Sequence, residues 1–282
     1  MRRLVALGFL LALVALVAGS AWALLGGRDE AAPQPLPPPA PPKPLRIIFP
    51  EGFTRTDMAQ RIGEVNQIAR EKRSVHPRLS PQRYLALTKG SSRAPRGFLG
   101  QERPRDLEGF LFPATYEFTK RTTTRQLVNA QLGAFKRNWA SVNMRYARSK
   151  NLTPYDVLII ASLIEKEVAV AKERPLVAAV IYNRLKAGMS LGIDATIRYG
   201  LDVPPTEALR ESQLHDSTPY NTRIHAGLPP TPIANPGLAS IRAAAHPAKV
   251  DYLFFVRKPD KKHHFFTPSQ REFDNYSKAH GY

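Results

Sequence analysis

No cysteine occurs anywhere in the 282 residues. Disulfides, thiolate chemistry and cysteine-held zinc are therefore excluded, and the absence is compatible with export. Acidic side chains are scarce: 23 Asp and Glu stand against 41 Lys and Arg, a formal net charge of +18. That excess attracts polyanions, whether nucleic acid, anionic lipid or wall polymers carrying carboxylates and phosphates, without choosing among them. The basic residues are scattered rather than gathered into an aromatic-studded block, which argues against an exported nucleic-acid binder. Several motifs are missing too. There is no P-loop and no G-x-G-x-x-G, so nucleotide chemistry has no support, and no G-x-S-x-G elbow for a serine hydrolase. His246, His263 and His264 lack H-E-x-x-H spacing, so no metal site is expected. No internal repeat is evident.

The chain opens with Met1-Arg2-Arg3 and an uncharged, mostly apolar run from Leu4 to Gly27. Such a run is long enough to cross roughly 30 Å of hydrocarbon as a helix. Arg2 and Arg3 precede it and Arg28-Asp29-Glu30 follows, so the positive-inside bias places the N-terminus in the cytoplasm and the body outside. A cleavable signal peptide ending at Ala21-Trp22-Ala23 is the competing reading, although the run exceeds the ~7–15 residues of a signal h-region. Either exports the remainder. Pro33 to Pro44 holds eight prolines in twelve residues. It favours extended polyproline II, at ~3.1 Å per residue a spacer of roughly 35–40 Å.

Residues 45–118 read as a small mixed module. Leu45–Phe49 is a strand candidate and Pro50-Glu51-Gly52 a turn. Thr54 caps a helix bearing Met58, Ile62 and Val65 at helical spacing. A second helix follows Ser80-Pro81 through Tyr84, Leu85 and Leu87, and Gly109–Pro113 and Tyr116–Phe118 look strand-like. Beyond 119 the chain is more helical. A helix over Thr124–Arg148 carries Leu127, Val128, Leu132, Phe135 and Trp139 on one stripe. Thr153-Pro154-Tyr155-Asp156 has the hydroxyl cap, early proline and N3 carboxylate of a helix start. The residues that follow, Val157 to Ile164, are apolar on every face and predict a buried helix ending in Glu165-Lys166-Glu167. Further helices are expected over Pro175–Lys186, Leu238–Ala245 and from Ser269. Strands are expected at Tyr252–Val256 and His264–Thr267, with turns from Asp194 to Pro236.

Glu165 and Glu167 attract attention because they close a hydrophobic helix. A carboxyl at such a boundary is partly desolvated, which favours the protonated form that a general acid requires. Most helices also end in charges for solubility alone. Residues two apart do not share a helix face, so the two do not form a close pair, and periodicity does not choose between them. Tyr220 and Asn221, in the proline-braced loop Pro219–Thr222, offer a ring to stack on a sugar and an amide to bond hydroxyls. Asp194 and Asn235 read equally as turn residues.

Taken together these segments resemble a known family. Ala161-Ser162-Leu163-Ile164-Glu165-Lys166-Glu167 is similar to the A-S-[IL]-[IV]-E-K-E signature of the endolytic murein transglycosylases, the YceG-like family. Val180–Leu185 with Gly188-Met189, Asp194–Ile197, Tyr220–Thr222, Gly227–Ile233, Asn235–Gly237, Ala243–Pro247, Tyr252–Val256 and Glu108–Tyr116 match further family elements in order. Departures are Gly192-Ile193 where a polar Gln-Ser/Thr pair is usual, Ala195 for a proline, Ala114 for an acid and Arg223 for an aromatic. The resemblance implies an α+β architecture: an N-terminal transmembrane anchor (1–27), a Pro-rich linker (28–44), a small LysM-like wall-binding module (45–118) and a larger mixed helical catalytic domain with a short antiparallel sheet (119–282).

It also implies a membrane-tethered enzyme acting on peptidoglycan glycan strands, beside the synthases, without a cofactor. Glu165 is the implied acid/base. It protonates the oxygen joining MurNAc to GlcNAc, then takes the proton of the MurNAc C6 hydroxyl as that hydroxyl attacks C1, giving 1,6-anhydro-MurNAc ends. An intramolecular nucleophile removes the need for a second protein carboxylate. Tyr220, Asn221, Asp194 and Glu167 are the implied substrate-binding residues. The alternative is a non-catalytic, membrane-anchored peptidoglycan-binding scaffold.

Overall fold

A computed structural model describes residues 44–90, 92–98 and 106–281. The expected anchor and all of the linker except Pro44 lie outside them. Among the described residues no helix is long and apolar enough to cross a membrane.

The first strand, β1 (Leu45–Ile48), leads into a turn with Gly52 at φ +79°, left-handed backbone that glycine adopts freely. Helix α1 (Arg55–Arg73) then starts on a capping box: the Thr54 hydroxyl accepts from the Asp57 N–H, and the Asp57 carboxylate accepts from the Thr54 N–H. After α2 (Pro81–Thr88), capped by Ser80, and one 3-10 turn (Arg96–Phe98), the chain returns as β2 (Thr115–Phe118). β2 pairs antiparallel with β1, Leu45 opposite Phe118 and Ile48 opposite Thr115. The segment is thus a β–α–α–β unit closed by its own ends.

The strand expected at Gly109–Pro113 is instead a tight turn. Gly109 sits at φ +86°, and the Leu111 N–H is taken by the side-chain oxygen of Asn235 rather than by a neighbouring strand. Leu107, Phe110 and Leu111 are nonetheless fully buried, which is why the segment reads as apolar.

The single helix expected over Thr124–Arg148 is two, α3 (Thr124–Trp139) and α4 (Arg145–Ser149). Between them the Ser141 and Val142 N–H groups bond back only three residues, to Asn138 and Trp139. The Asn143 side chain then accepts from the Arg145 N–H and restarts the helix. The helices that follow are α5 (Pro154–Glu167), α6 (Arg174–Lys186), α7 (Asp194–Gly200), α8 (Glu211–Leu214) and α9 (Leu238–Ala245). A 3-10 turn (Ala171–Glu173) leads into α6, which ends at a left-handed Gly188. Helices α7 and α8 lie where only turns were expected; both are too short for a periodic apolar stripe to show. A hairpin of β3 (Phe254–Arg257) and β4 (His264–Thr267) pairs antiparallel, and α10 (Gln270–Ala279) closes the chain on a Ser269 cap.

The core is built around α5. Its capping box (Thr153 and Asp156) and N-terminal proline start it, and Tyr155 and every residue from Val157 to Ile164 are buried. It packs against α6, α7 and α9. Ile47, Phe49, Met58, Ile62 and Tyr84 of the β–α–α–β unit belong to the same apolar cluster, and the Tyr84 hydroxyl donates to Gln131 of α3 at 2.8 Å. From Pro44 onward the chain is one compact unit. Each fully buried large apolar side chain contributes on the order of 1.5–3 kcal/mol, so this continuity fixes the turn after β1 against the end of α5.

Candidate active site

Because α5 is apolar on every face from Val157 to Ile164, the next charged residue after the capping Asp156 emerges only where the helix leaves the core. That residue is Glu165, whose side chain remains just 7 % exposed. Its Oε2 accepts the N–H of Gly237 at 2.9 Å, and Gly237 is the N-cap of α9. The opening N–H groups of a helix favour an anion there. Arg174, first residue of α6, holds Nη2 3.9 Å from Oε1 while its Nε donates to Ser240 of α9 at 3.1 Å. Oε1 makes no hydrogen bond to another described residue.

Three segments meet around this carboxylate. The turn after β1 lies with the open face of Gly52 against the Glu165 side chain, and Lys166 Nζ donates to the Gly52 carbonyl at 3.4 Å. Gly52 N–H donates to the Asn235 carbonyl at 3.0 Å, and Asn235 N–H to the Phe53 carbonyl at 2.9 Å, which ties that turn to the loop before α9. From below, buried Ser162 accepts the Ile233 N–H at 3.0 Å and donates to the Ile159 carbonyl.

Asn235, expected as a turn residue, is fully buried at the hub of this stitching. Its amide donates to the Phe53 carbonyl and to Glu108, and its oxygen accepts the Leu111 N–H. Glu108 also accepts the Arg55 backbone N–H and the Tyr199 hydroxyl. Burial pushes its carboxyl up to about 8; Asp106 adds to the rise, while the backbone N–H and charge of Arg55 oppose it.

Glu167 occupies different surroundings, as a separation of two residues on a helix requires. Burial raises its carboxyl to about 7, with Arg257 opposing and Asp194 reinforcing the rise. It makes no hydrogen bond to another described residue. Asp194 opens α7 and takes Arg223 on one oxygen, from Nε at 2.8 Å and Nη2 at 2.7 Å, with both side chains about half exposed. Arg223, where the family usually has an aromatic, thus carries the charge that pairs Asp194. Gly192 stands at φ +62° and donates to the Thr222 carbonyl, while Ile193 is buried and its N–H reaches the Thr222 hydroxyl. The Gly192-Ile193 pair is therefore a left-handed corner followed by a core residue.

Tyr220 is half-buried. Its hydroxyl pairs with that of Thr231 at 2.8 Å, and its ring stands edge-on to Tyr199 at 5.2 Å. Asn221 is fully buried: its amide donates to the Leu214 and Asp216 carbonyls and its oxygen accepts the Arg223 N–H. Every polar atom of that side chain is occupied in shaping the loop. The Tyr182-Asn183-Arg184 run is similarly occupied, bonding the carbonyls of Ala244, Val250, Tyr252, Leu253 and Leu191.

The structure therefore joins Glu165 to Arg174, Gly237 and the turn after β1, and leaves Glu167 apart from them, within the electrostatic reach of Arg257 and Asp194. Three residues at the site were missed in the sequence: Glu51, read only as part of a turn, whose carboxylate lies against Gly237; Arg174, at an unremarkable helix start; and Glu108, matched to a motif without a role. Only Glu108 had a usable signal, an acidic residue inside an apolar run. A surface groove of about 550 Å³ lined by Tyr146, Tyr182, Asn183 and Tyr252 contains none of the expected site residues. Among the described residues no three His, Asp or Glu side chains are grouped to hold a metal ion.

Fold and site define an α+β protein whose candidate chemistry rests on a glutamate delivered from the end of a buried helix onto the start of another. The chain belongs to the YceG-like family, whose model matches residues 34–279. It is 31% identical over 267 residues to an endolytic murein transglycosylase of Streptococcus pneumoniae strain R6, a match covering 90% of this chain and 46% of that protein. It is 38% identical over 152 residues to an endolytic murein transglycosylase of Bacillus subtilis strain 168, covering 54% of this chain and 42% of that one. The chain thus spans about half the length of the curated relatives it matches. A crystal structure of a YceG-like protein from Listeria monocytogenes superimposes with a TM-score of 0.70 at 28% identity, covering 83% of this chain and 76% of that one.

Proposed function

We propose that this protein is an endolytic lytic transglycosylase that cuts the MurNAc–GlcNAc bond of peptidoglycan strands and leaves 1,6-anhydro-MurNAc ends. The observation that carries the reading is the setting of Glu165: a nearly buried carboxyl with one oxygen held by the Gly237 N–H and the other, without a hydrogen bond among the described residues, facing Arg174. The names of the relatives support the reaction class.

In the first step the Glu165 proton passes to the glycosidic oxygen and the C1–O bond breaks. The carboxylate left behind is stabilised by the Gly237 N–H and the Arg174 charge. In the second step the C6 hydroxyl attacks C1 and its proton returns to Glu165. Atoms balance without water, so one carboxyl serves as acid and then as base.

Tyr220 and Asp194 are the side chains offered to the glycan. Asn221 acts on it through the loop it shapes. The β–α–α–β unit serves as a LysM-like module that grips the strand. The N-terminal run anchors the protein once in the cytoplasmic membrane, N-terminus inside and the body outside, beside peptidoglycan synthases.

The purified full-length chain in detergent, incubated with sacculi, is expected to release muropeptides with 1,6-anhydro ends by mass spectrometry. Glu165→Gln should lower the rate at least a hundredfold, since it keeps the shape and removes the proton. A second assignment has its own support: at about 7, Glu167 carries the proton affinity that suits an acid near neutral pH. Loss of activity in Glu167→Gln with Glu165→Gln still active would transfer the role. Reducing ends would make the protein a hydrolase. A folded chain that binds sacculi and releases nothing would be a scaffold.

A further inference from the structure

Gly237 has no conformational need to be glycine. Its φ of −74° and ψ of 167° are open to any residue. What a side chain there would meet is Glu51: a Cβ on Gly237 would overlap the Glu51 carboxylate, which would have to move aside. Glu51 comes from the turn after β1, more than a hundred residues away in sequence, and lies on the exposed side of the site. The same glycine donates its N–H to Glu165. Two carboxylates thus converge on one residue at the start of α9, Glu165 tucked beneath and Glu51 above.

We propose that Glu51 is a positioning residue for the reaction, a second carboxylate that shares a proton with Glu165 across Gly237 so that the pair still holds one when the glycosidic oxygen takes it. The inference rests on the transglycosylase reading of the same site. The charged groups around the pair come from each packed element: Glu51 from the turn after β1, Lys166 from α5 with its ammonium on the Gly52 carbonyl, and Arg174 from α6. From α9 come the Gly237 N–H and the Ser240 hydroxyl that holds Arg174.

Two neighbouring carboxyls resist losing both protons, so the last proton leaves the pair at a higher pH than either group would release alone. In keeping with this, partial desolvation and then the charge of Glu165 raise the Glu51 carboxyl above its usual range, against Arg174. The Gly237 N–H and Arg174 stabilise the Glu165 carboxylate after the proton has gone, while Glu51 beside it keeps a proton within the pair beforehand. The combination makes the proton available without making the spent carboxylate too costly.

The test is the pH profile of anhydro-end formation by the full-length chain, for wild type, Glu51→Gln, Glu51→Asp and Gly237→Ala, with melting temperature measured alongside. Wild type should lose activity on an alkaline limb. Glu51→Gln should move that limb to lower pH by about one unit, because removing the like charge lets the pair ionise sooner. Glu51→Asp should restore part of the shift. Gly237→Ala keeps the N–H and displaces the Glu51 carboxylate, so its limb should move in the same direction as that of Glu51→Gln.

Limbs that superimpose on an active wild type overturn the proposal. So does a uniform loss at all pH values with a lowered melting temperature, which would mark Glu51 as structural. A folded wild type with no activity at any pH overturns the transglycosylase reading itself, and this inference with it.

Discussion

At the scale of single residues, the carboxyls divide by what surrounds them. Glu165 meets a helix start and an arginine, Glu167 a half-buried charged corner, and Glu108 a fully buried hub of donors. The last has a consequence for stability. An unfolded glutamate titrates near the ordinary value of 4.5, whereas Glu108 is raised to about 8 in the fold. Between those values the folded chain holds a proton that the unfolded chain has released. Stability is therefore full below about 4.5 and is lost as pH rises toward 8. Glu108→Gln retains an oxygen for the Arg55 and Asn235 donors and presents an N–H to the Tyr199 hydroxyl. It should flatten the dependence of denaturation midpoint on pH over that window; an unchanged slope would place the proton elsewhere. None of this was legible from the residue itself, because Glu108 acquires its burial from Arg55, Tyr199 and Asn235, distant in sequence.

At the scale of elements, α5 was the most legible. Its capping box, its early proline and its unbroken apolar run are local and agree with one another. What the helix does for the site depends on one small side chain. Ser162 takes the buried Ile233 N–H, and Ser162→Ala would leave that donor unsatisfied at a cost of about 1–3 kcal/mol. A urea midpoint lowered with an unchanged m-value would show it. Thr153→Ala, which removes only the cap, should cost about 1 kcal/mol by the same measurement. Elements set by distant partners were harder to read. Gly109–Pro113 carries the apolar residues of a strand and is a turn, because its N–H groups are claimed by the Asn235 side chain and by near neighbours. The break between α3 and α4 is invisible to periodicity, since the apolar stripe continues across it.

At the scale of the whole molecule, a net charge of +18 predicts adhesion to polyanions, and under the proposed function the relevant one is an anionic wall. Retention of the full-length chain on sacculi should fall severalfold between low salt and about 0.5 M salt, as exposed charges are screened. Retention unmoved by salt would assign binding to neutral sugar contacts. The sequence by itself determined the α+β class, most helix positions and the family, because caps, apolar periodicity and ordered motifs are encoded within a few residues of one another. It also placed Glu165 at the end of the buried helix. Only the tertiary structure decided what stands around that glutamate. The Gly237 N–H, Arg174 and Glu51 arrive from three separate segments, and their convergence is a product of the shared core. No spacing along the chain records which turn a buried helix will end against.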